Sequence, residues 1–347
     1  HIFNNIKASA RYLFSLNHSW AYAEFGYETA WVKAHFPEQY VCAWLRIAKE
    51  EAKPLEEIRA MVSEARRLKI DVKGPSARNL PKVDFFIKRG TVYFGMDSIK
   101  GCSEKTFNKI MNSGCDFKNI MWSDFLVNYS QLLNKKQMVA MIRVGCFDSH
   151  TIKSRIAMEY EYSNWCLLTE IQKKKCRDVF KENPDSDFVS FFKSVFKVYP
   201  RIEKFKIILF ALQNPSFDLS ESNDNIIQNE KELLGINISC SKIDQIANIE
   251  VKNKIKSVLD DVYDKNKVYY ILGEISDFRD FKIKTGKMLG QTMGSFKISD
   301  ETGEMDVVCF PDKLDRFQAG LFDGNVIYLH GKKSNRGGLI VEQIYET

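Results

Sequence analysis

The stretch that decides the fold of the C-terminal part reads TMGSFKISDETGEMDVVCF over residues 292–310. Apolar and polar residues alternate on both sides of a turn-forming DETG run, so the stretch predicts a β-hairpin with one buried face. The same alternation occurs earlier, in residues 268–272, and later, in residues 326–330. After the hairpin, residues 313–321 predict one short helix. About five strands with a helix in that place predict a small closed barrel.

A five-stranded Greek-key barrel of this kind is an OB-type fold, which we predict over residues 265–347. Some OB barrels bind single-stranded nucleic acid through stacking aromatic side chains and basic residues, whereas others bind oligosaccharides or proteins. We predict nucleic-acid binding and keep the other two ligand classes open. The candidates are three aromatic residues for stacking and three lysines of the first hairpin for phosphates: Phe281, Phe296 and Tyr328, and Lys282, Lys284 and Lys287. Half of the aromatic candidates are expected to belong to the barrel core instead.

Upstream of the barrel, two short alternating segments predict a strand pair that leads into a helical hairpin. The connection IKGCS (residues 99–103) resembles a helix-hairpin-helix, in which small residues let backbone amides approach a phosphate at a helix N-terminus. Ser103 stands where a second glycine is usual and would serve as the N-cap. The predicted DNA contacts are the backbone amides from Gly101 to Lys105, Ser103 included, and the side chains of Lys100 and Lys105. The alternative is an ordinary turn before a helix.

The remainder of the chain is predicted to be mainly helical. Residues 3–48 indicate an aromatic-rich helix broken at Pro37, and Pro54 opens an amphipathic helix. Residues 151–212 are Lys- and Phe-rich helix with no motif, and residues 213–230 have linker composition. The sequence thus predicts a multidomain α+β protein, largely helical before an all-β barrel. The predicted domains are 1–80, 81–150 (hairpin region), 151–212 (helical segment of unknown role), 213–264 (linker and pre-barrel helices) and 265–347 (barrel).

The composition is that of a folded protein with several domains. The chain has 347 residues, of which 44% are hydrophobic and 28% charged, and no apolar run reaches the roughly 18 residues of a membrane span. The net charge is +6, and residues 1–150 carry 22 Lys and Arg against 15 Asp and Glu, which fits a polyanionic partner. The eight cysteines include no Cys-x-x-Cys pair, which favours a reducing cytosol and buried thiols.

No catalytic constellation follows from residue spacing. His18 and His35 are 17 residues apart, and no cysteine or carboxylate pattern completes a metal site with them. The sequence also lacks a Gly-x-Ser-x-Gly elbow, a Walker loop and a paired-glycine dinucleotide turn. We therefore predict no catalytic residue and no metal site in this chain.

Four short motifs follow one another in a specific order. They are FSLNHSWAYA (residues 14–23) with its continuation to KAHFP (33–37), then FGMDSIKG (94–101), VGCFD (144–148) and ELLG (232–235). In this order they resemble segments of the bacterial replicative DNA polymerase III alpha subunits, the first of them the fingers motif. Nine residues of the barrel also match the family: Gly290, Met293, Asp300, Thr302, Gly303, Val307, Phe310, Gly331 and Lys332. The resemblance covers essentially the whole chain except residues 151–212.

The resemblance implies that the chain corresponds to the fingers, helix-hairpin-helix, linker and OB domain of a bacterial or phage DNA-directed DNA polymerase. The palm, whose aspartates hold Mg²⁺ for nucleotidyl transfer, would lie before residue 1. We therefore expect this part alone to be inactive and to need no cofactor. The implied partners are primer-template DNA, single-stranded DNA and a sliding clamp, with no membrane, in the cytoplasm of a bacterium or a phage-infected host.

The resemblance also implies roles for four residues. His18 and Lys33 would face the incoming nucleotide. Gln213 and Phe217 would belong to a clamp-binding peptide, with a plain linker as the alternative. The alternative function for the whole chain is a non-catalytic DNA-binding scaffold or regulator that reuses the same domains.

Overall fold

The computed structural model describes residues 16–79, 82–240, 253–286, 288–300, 302–335 and 337–345. The helices are α1 (Leu16–His35), α2 (Pro37–Ala48), α3 (Pro54–Arg67), α4 (Glu104–Met111), α5 (Lys135–Arg143), α6 (Arg155–Cys166), α7 (Glu170–Phe180), α8 (Phe188–Val198), α9 (Glu203–Gln213), α10 (Asn223–Leu234), α11 (Ile255–Asp260) and α12 (Pro311–Phe317). The strands are β1 (Val72–Lys73), β2 (Phe86–Lys88), β3 (Thr91–Tyr93), β4 (Val268–Lys282), β5 (Thr292–Asp300), β6 (Gly303–Cys309), β7 (Val326–Lys333) and β8 (Leu339–Tyr345). This order confirms the predicted fold class of a helical region followed by a β-barrel.

Prolines begin the two helices that follow α1. Pro37 and Pro54 each occupy the first turn of a helix, where a missing N–H removes no hydrogen bond. α3 places acidic residues in its first turn and Arg66 and Arg67 in its last, which suits the helix dipole. The two helices bury one face each against a small sheet, through Val41, Leu45, Ile58, Val62 and Ala65.

The small sheet has the order β1-β3-β2. The predicted strand pair is present as the antiparallel pair β2–β3, and the sequence did not indicate β1, which pairs in parallel with β3 at Val72 and Val92. Gly95 follows the sheet, and a Cβ atom there would lie 2.0 Å from the Val83 carbonyl oxygen. Because no other residue fits, this glycine fixes the close approach of two chain segments just before the hairpin.

Residues 151–212 form four helices, α6 to α9, that share one core with the hairpin region. Their largest buried side chains are aromatic: Trp165, Phe180, Phe188, Phe191, Phe192 and Phe205. The linker predicted over 213–230 is shorter in the structure, because Ser222 caps α10 and helix begins at Asn223. The helical segment without a motif is therefore a structural part of the hairpin region.

The barrel is closed in the order β4-β5-β6-β8-β7, which confirms the predicted OB fold. Its first strand is long enough to pair with β7 through Val268 to Glu274 and with β5 from Glu274 onward, with a register shift between Ser276 and Arg279. β6 and β8 pair in parallel at Val307. The helix predicted after the third strand is α12.

The barrel core includes α11, which the sequence places in the pre-barrel segment. Ile255 and Val258 of α11 are fully buried in that core. The Lys333 ammonium, itself buried, donates to the carbonyls of Val258, Leu259 and Asp261 at 2.7–2.9 Å. Since these carbonyls end the helix, Lys333 caps α11, and the folding unit of the barrel starts near residue 253 rather than 265.

All eight cysteines are free, and four of them are buried. Burial raises the pKa of Cys102 to about 11, so its thiol stays protonated. None of the helices described here has the length and apolarity that a membrane span requires.

Candidate nucleic-acid interface

The first hairpin turns at Gly101 and ends on α4. Gly101 has a φ of 85°, a left-handed conformation that favours glycine. Ser103 occupies the predicted N-cap position of α4, and its backbone N–H donates to the Thr106 hydroxyl at 3.4 Å. The turn at Gly101 and the start of α4 thus resemble those of a helix-hairpin-helix, with serine in place of the second glycine, although the element before the turn is only a short 3₁₀ helix, Met96–Ser98.

The backbone amides of this hairpin divide into two groups. The N–H of Lys100 donates to the Leu233 carbonyl and that of Cys102 to the Ile99 carbonyl, both at 2.9 Å. Within the part of the chain that the structure describes, the N–H groups of Gly101, Glu104 and Lys105 have no hydrogen-bond acceptor. Three of the amides predicted to approach a phosphate are therefore available.

A second hairpin, formed by α5, the connection 144–154 and the start of α6, supports the first. It also adds lysines that were not among the predicted DNA contacts. Asn134 caps α5 by accepting the Gln137 N–H at 2.9 Å, and the Gln137 amide donates to the Gly101 carbonyl at 3.2 Å. This contact fixes the start of α5 beside the first hairpin, so the exposed Lys135 and Lys136 add to the positive charge there. The signal for them was an Asn-x-x-Gln capping pattern enclosing two lysines.

An ion cluster around the buried Arg155 guanidinium joins the second hairpin to α10. The Arg155 guanidinium binds Asp148 at 2.8 Å and Glu230 at 3.2 Å, and Glu230 also accepts the N–H groups of Ile238 and Ser239. Burial raises the pKa of Asp148, and Arg155 opposes that shift. The cluster connects Asp148 of the VGCFD segment with Glu230 of α10, although the two residues lie far apart in the sequence.

α10 contacts three further parts of the molecule. Its Leu233 carbonyl accepts the Lys100 N–H of the first hairpin at 2.9 Å. Lys231 forms an ion pair with Glu274 of the barrel, and Arg59 of α3 donates to the Gly235 carbonyl at 3.0 Å. One helix therefore sets the positions of both hairpins, α3 and the start of the barrel.

The first hairpin of the barrel presents three of the predicted DNA-binding residues to solvent. Phe281, on the distal part of β4, is 47% exposed, and Lys282 and Lys284 are exposed beside it. Lys287, the third lysine of this prediction, lies outside the described residues. A single-stranded nucleic acid could stack one base on this aromatic ring and bind two phosphates through the two ammonium groups.

The prediction for Phe296 is wrong, because its side chain belongs to the barrel core. It is 2% exposed and packs with the core cluster, so no base can stack on it. On the outside of β5 and β6, Lys297 forms ion pairs with Glu304 at 2.7 Å and Asp277 at 3.8 Å. Phe296 is the only aromatic residue of these two strands, so their outer face offers no stacking platform.

The barrel's other aromatic surface lies on β4, β7 and β8. Tyr270, Tyr328, His330 and Tyr345 have neighbouring ring centroids 5.1–6.3 Å apart, and the His330 ring pairs with the Tyr345 hydroxyl at 2.8 Å. Tyr328, a predicted candidate, is half-buried in this group. Tyr328 thus lies opposite Leu272 in the first half of β4, whereas Phe281 lies in the distal half of β4, which pairs with β5.

Two family profiles match the regions just described. A profile of the helix-hairpin-helix motif matches residues 69–157, and a profile of the OB-fold nucleic acid binding domain matches residues 263–346. They coincide with the two hairpins and with the closed barrel.

Curated relatives align with most of the chain. DNA polymerase III subunit alpha of Deinococcus radiodurans is 25% identical over 364 residues, covering 99% of this chain and 25% of that protein. The Thermus aquaticus subunit is 24% identical over 320 residues, covering 89% and 23%. This chain is a distant homologue of DNA polymerase III subunit alpha. It spans about a quarter of the length of these polymerase III relatives.

Among solved structures, a mitochondrial single-stranded DNA binding protein of S. cerevisiae, Rim1, matches 23% of this chain and 91% of its own. The sequence identity is 16% and the TM-score 0.20, values too low to support an argument beside the homology to DNA polymerase III subunit alpha.

The two residues predicted to face the nucleotide in a polymerase III alpha subunit lie at opposite ends of α1. His18 is exposed, with its ring 6.1 Å from that of Tyr22. Lys33 forms an ion pair with Glu64 of α3 at 2.7 Å, and hydrogen bonds from Arg67 and Lys33 lower the pKa of Glu64 to about 2. The Glu64 carboxyl therefore stays ionised at neutral pH and holds the Lys33 side chain against α3. The nucleotide roles of His18 and Lys33 remain predictions.

The residues of the predicted clamp-binding peptide lie at the end of α9. Gln213 is the last residue of this helix and is exposed. Phe217 is 53% exposed, and its ring meets the Tyr160 ring edge-on with centroids 5.5 Å apart. A clamp role of the kind expected for a polymerase III alpha subunit remains a prediction.

Among the residues that the structure describes, no group of three His, Cys, Asp or Glu side chains is placed to hold a metal ion. We still expect the Mg²⁺ of a DNA polymerase to bind in the palm of the polymerase III family.

Proposed function

We propose that this chain is the DNA-binding part of a replicative DNA-directed DNA polymerase. In this role the hairpins hold the backbone of the primer-template duplex and the barrel guides the single-stranded template. The observation that carries the proposal is the first hairpin, where three free amides stand among exposed lysines, in a chain homologous to polymerase III alpha over most of its length.

The hairpins are suited to hold a duplex without reading its sequence. The amides of Gly101 and Lys105 and the ammonium groups of Lys100 and Lys105 are donors for phosphate oxygens. A replicative polymerase needs contacts that do not depend on DNA sequence, because the base pairs that it contacts change with every added nucleotide. Contacts to phosphates position the duplex and carry no base information.

We expect stacking to contribute more than charge to strand binding by the barrel. Residues 265–347 carry 12 Lys and Arg against 12 Asp and Glu, so long-range attraction is weak, and a stacked base contributes about 1–3 kcal/mol. In the fragment 253–347, Phe281→Ala should therefore reduce single-strand binding at low salt more than Lys284→Ala does. Fluorescence anisotropy with a labelled oligonucleotide measures both.

The matched control is Tyr263→Ala, which removes another half-exposed aromatic ring, in the loop before β4. It should leave binding unchanged. A barrel that binds no oligonucleotide at low salt, or that prefers duplex, would contradict the template-guiding role and favour a protein-docking role.

We also expect the 347-residue chain to bind primer-template DNA without extending it. Phosphoryl transfer by two metal ions needs a set of carboxylates to hold them, and the described residues contain no such group. A primer-extension assay with Mg²⁺ and all four deoxynucleotides should show no product at protein concentrations that saturate DNA binding. Magnesium-dependent incorporation by this chain would refute the assignment of catalysis to another part of the polymerase.

A further inference from the structure

A group of unpaired basic residues lies where α8 connects to α9. Residues 188–206 contain five Lys and Arg against one Glu, whereas residues 207–232 contain one Lys against five Asp and Glu. The segment 151–264 is nearly neutral in sum, with 17 Lys and Arg against 18 Asp and Glu. The nearly neutral sum of this segment therefore combines a positively charged part, residues 188–206, with a negatively charged part, residues 207–232.

Four of these residues form what we call the α8–α9 basic surface: Lys193, Lys197, Arg201 and Lys204. Lys193 and Lys197 are exposed on α8 and one turn apart, about 6 Å along the axis, whereas the buried residues of α8 are apolar. Arg201 is exposed in the connection, and Lys204 is the second residue of α9.

A further ammonium group reaches the same end of α8 from α7. Tyr199 is the C-cap residue of α8, and the Lys175 ammonium lies 5.1 Å from the centroid of its ring. Because Tyr199 is two residues from both Lys197 and Arg201, Lys175 extends the basic surface across three helices.

The members of the basic surface have no carboxylate partner among the described residues, although neighbouring lysines do. Lys173 pairs with Glu170 at 2.9 Å and Lys181 with Asp178 at 3.0 Å. Lys197 gains from the helix dipole in the last turn of α8, but Lys204 stands in the first turn of α9, where a cation is unfavourable. Helix stability alone therefore does not account for this arrangement.

The basic surface is held firmly against the hairpin region. The Arg177 guanidinium of α7 donates to the Val127 carbonyl at 3.1 Å and to the Gln131 side chain at 2.7 Å. Phe192 of α8 and Phe205 of α9 are fully buried in the core that also contains the hairpins. A ligand that binds both places would meet one rigid array of donors.

We propose that the α8–α9 basic surface binds backbone phosphates of the same duplex that the hairpins hold, as an additional contact. The inference rests on the proposed function and lies in the segment 151–212, for which the sequence offers no recognisable motif. Unpaired ammonium and guanidinium groups bind phosphates by releasing counterions, without reading bases. The surface therefore lengthens the footprint of the protein on DNA.

The test replaces Lys193, Lys197, Arg201 and Lys204 together by Gln in the 347-residue chain. The slope of log affinity against log salt for a duplex of about 30 base pairs should become shallower by roughly 3.6, since each of the four lost phosphate contacts reduces the slope by about 0.9. Affinity at about 100 mM salt should fall on the order of tenfold or more. A duplex too short to extend beyond the hairpins should lose little.

The matched control removes four exposed or half-exposed lysines elsewhere, Lys53, Lys69, Lys256 and Lys265, also by Gln, and should change the slope far less. Bound duplex should also protect Lys193 and Lys197 of the unmodified protein from acylation, a readout that does not depend on a variant's folding.

Equal salt slopes for the two quadruple variants, or no protection of Lys193 and Lys197, would overturn the inference. The α8–α9 basic surface would then be expected to bind an acidic protein surface instead of DNA. If replacing Lys100 and Lys105 of the first hairpin by Ala still weakens duplex binding in that case, the proposed function stands without the inference. If the unmodified chain binds no duplex at all, both fail.

Discussion

Replacing Arg155 by Met is expected to lower the free energy of unfolding of the helical region by about 3–5 kcal/mol, because it leaves the buried Glu230 carboxylate without its cation. The Arg155 side chain is 6% exposed and that of Glu230 is 1% exposed. Without the guanidinium, Glu230 keeps hydrogen bonds from Ile238 and Ser239 but no positive charge. Denaturant unfolding followed by tryptophan fluorescence, with Trp122 and Trp165 in this core, measures the loss.

The control is Arg143→Met, which removes a salt bridge of similar length at the surface. Arg143 binds Glu159 at 2.8 Å, but its side chain is 41% exposed, so we expect a loss of about 1 kcal/mol or less. Equal losses for the two variants would show that the Arg155 cluster contributes no more than an exposed pair.

The loss caused by Arg155→Met should also depend on pH. Burial raises the folded-state pKa of Asp148 above its unfolded value, so its ionised form costs stability at neutral pH and the cost falls as the carboxyl is protonated. Arg155 holds this pKa down, so its removal raises the pKa further. The loss of unfolding free energy in the variant should therefore be smaller at about pH 5 than at about pH 7. A deficit that grows with acid would contradict this account.

Replacing Lys100 and Lys105 together by Ala is expected to weaken duplex binding on the order of tenfold at low salt, and equally for all sequences. Both side chains are exposed beside the free amides of the first hairpin. The salt slope should become shallower by about 2, because each ammonium releases roughly one counterion. Anisotropy titrations with several duplexes of different sequence, each at several salt concentrations, measure both effects.

The control for the hairpin is Lys282→Ala together with Lys284→Ala in the barrel, which removes the same charge from exposed positions. It should weaken single-strand binding and leave duplex binding nearly unchanged. A loss that varies with duplex sequence would mean that the hairpin reads bases, which the proposed phosphate grip does not do.

The barrel was predictable because its signals are local. Period-2 alternation and glycine-containing turns specify strands and hairpins within a few residues, and the structure closes them as expected. The burial of Phe296 was also encoded, since it shares the parity of Ile298 along β5 and both side chains point inward.

The features that escaped prediction depend on distant residues. β1 is two residues long and forms a strand only because it pairs with β3, about twenty residues later in the chain. α11 belongs to the barrel because Lys333, far along the chain, caps it. The partners of Arg155 lie on both sides of it in the sequence, and no local pattern indicates that they meet.

The position of α10 in the chain also orders events during synthesis. Glu230 is made 75 residues after Arg155, so the nascent hairpin region has Asp148 but not Glu230 to neutralise the guanidinium. The Leu233 carbonyl, which accepts the Lys100 N–H, arrives later still. A chain halted on the ribosome before residue 230 would therefore contain all of the hairpin residues without their final bracing. The hairpin residues proposed to bind DNA are therefore fully braced only after α6–α9 have been translated and α10 has docked, shortly before the barrel itself emerges.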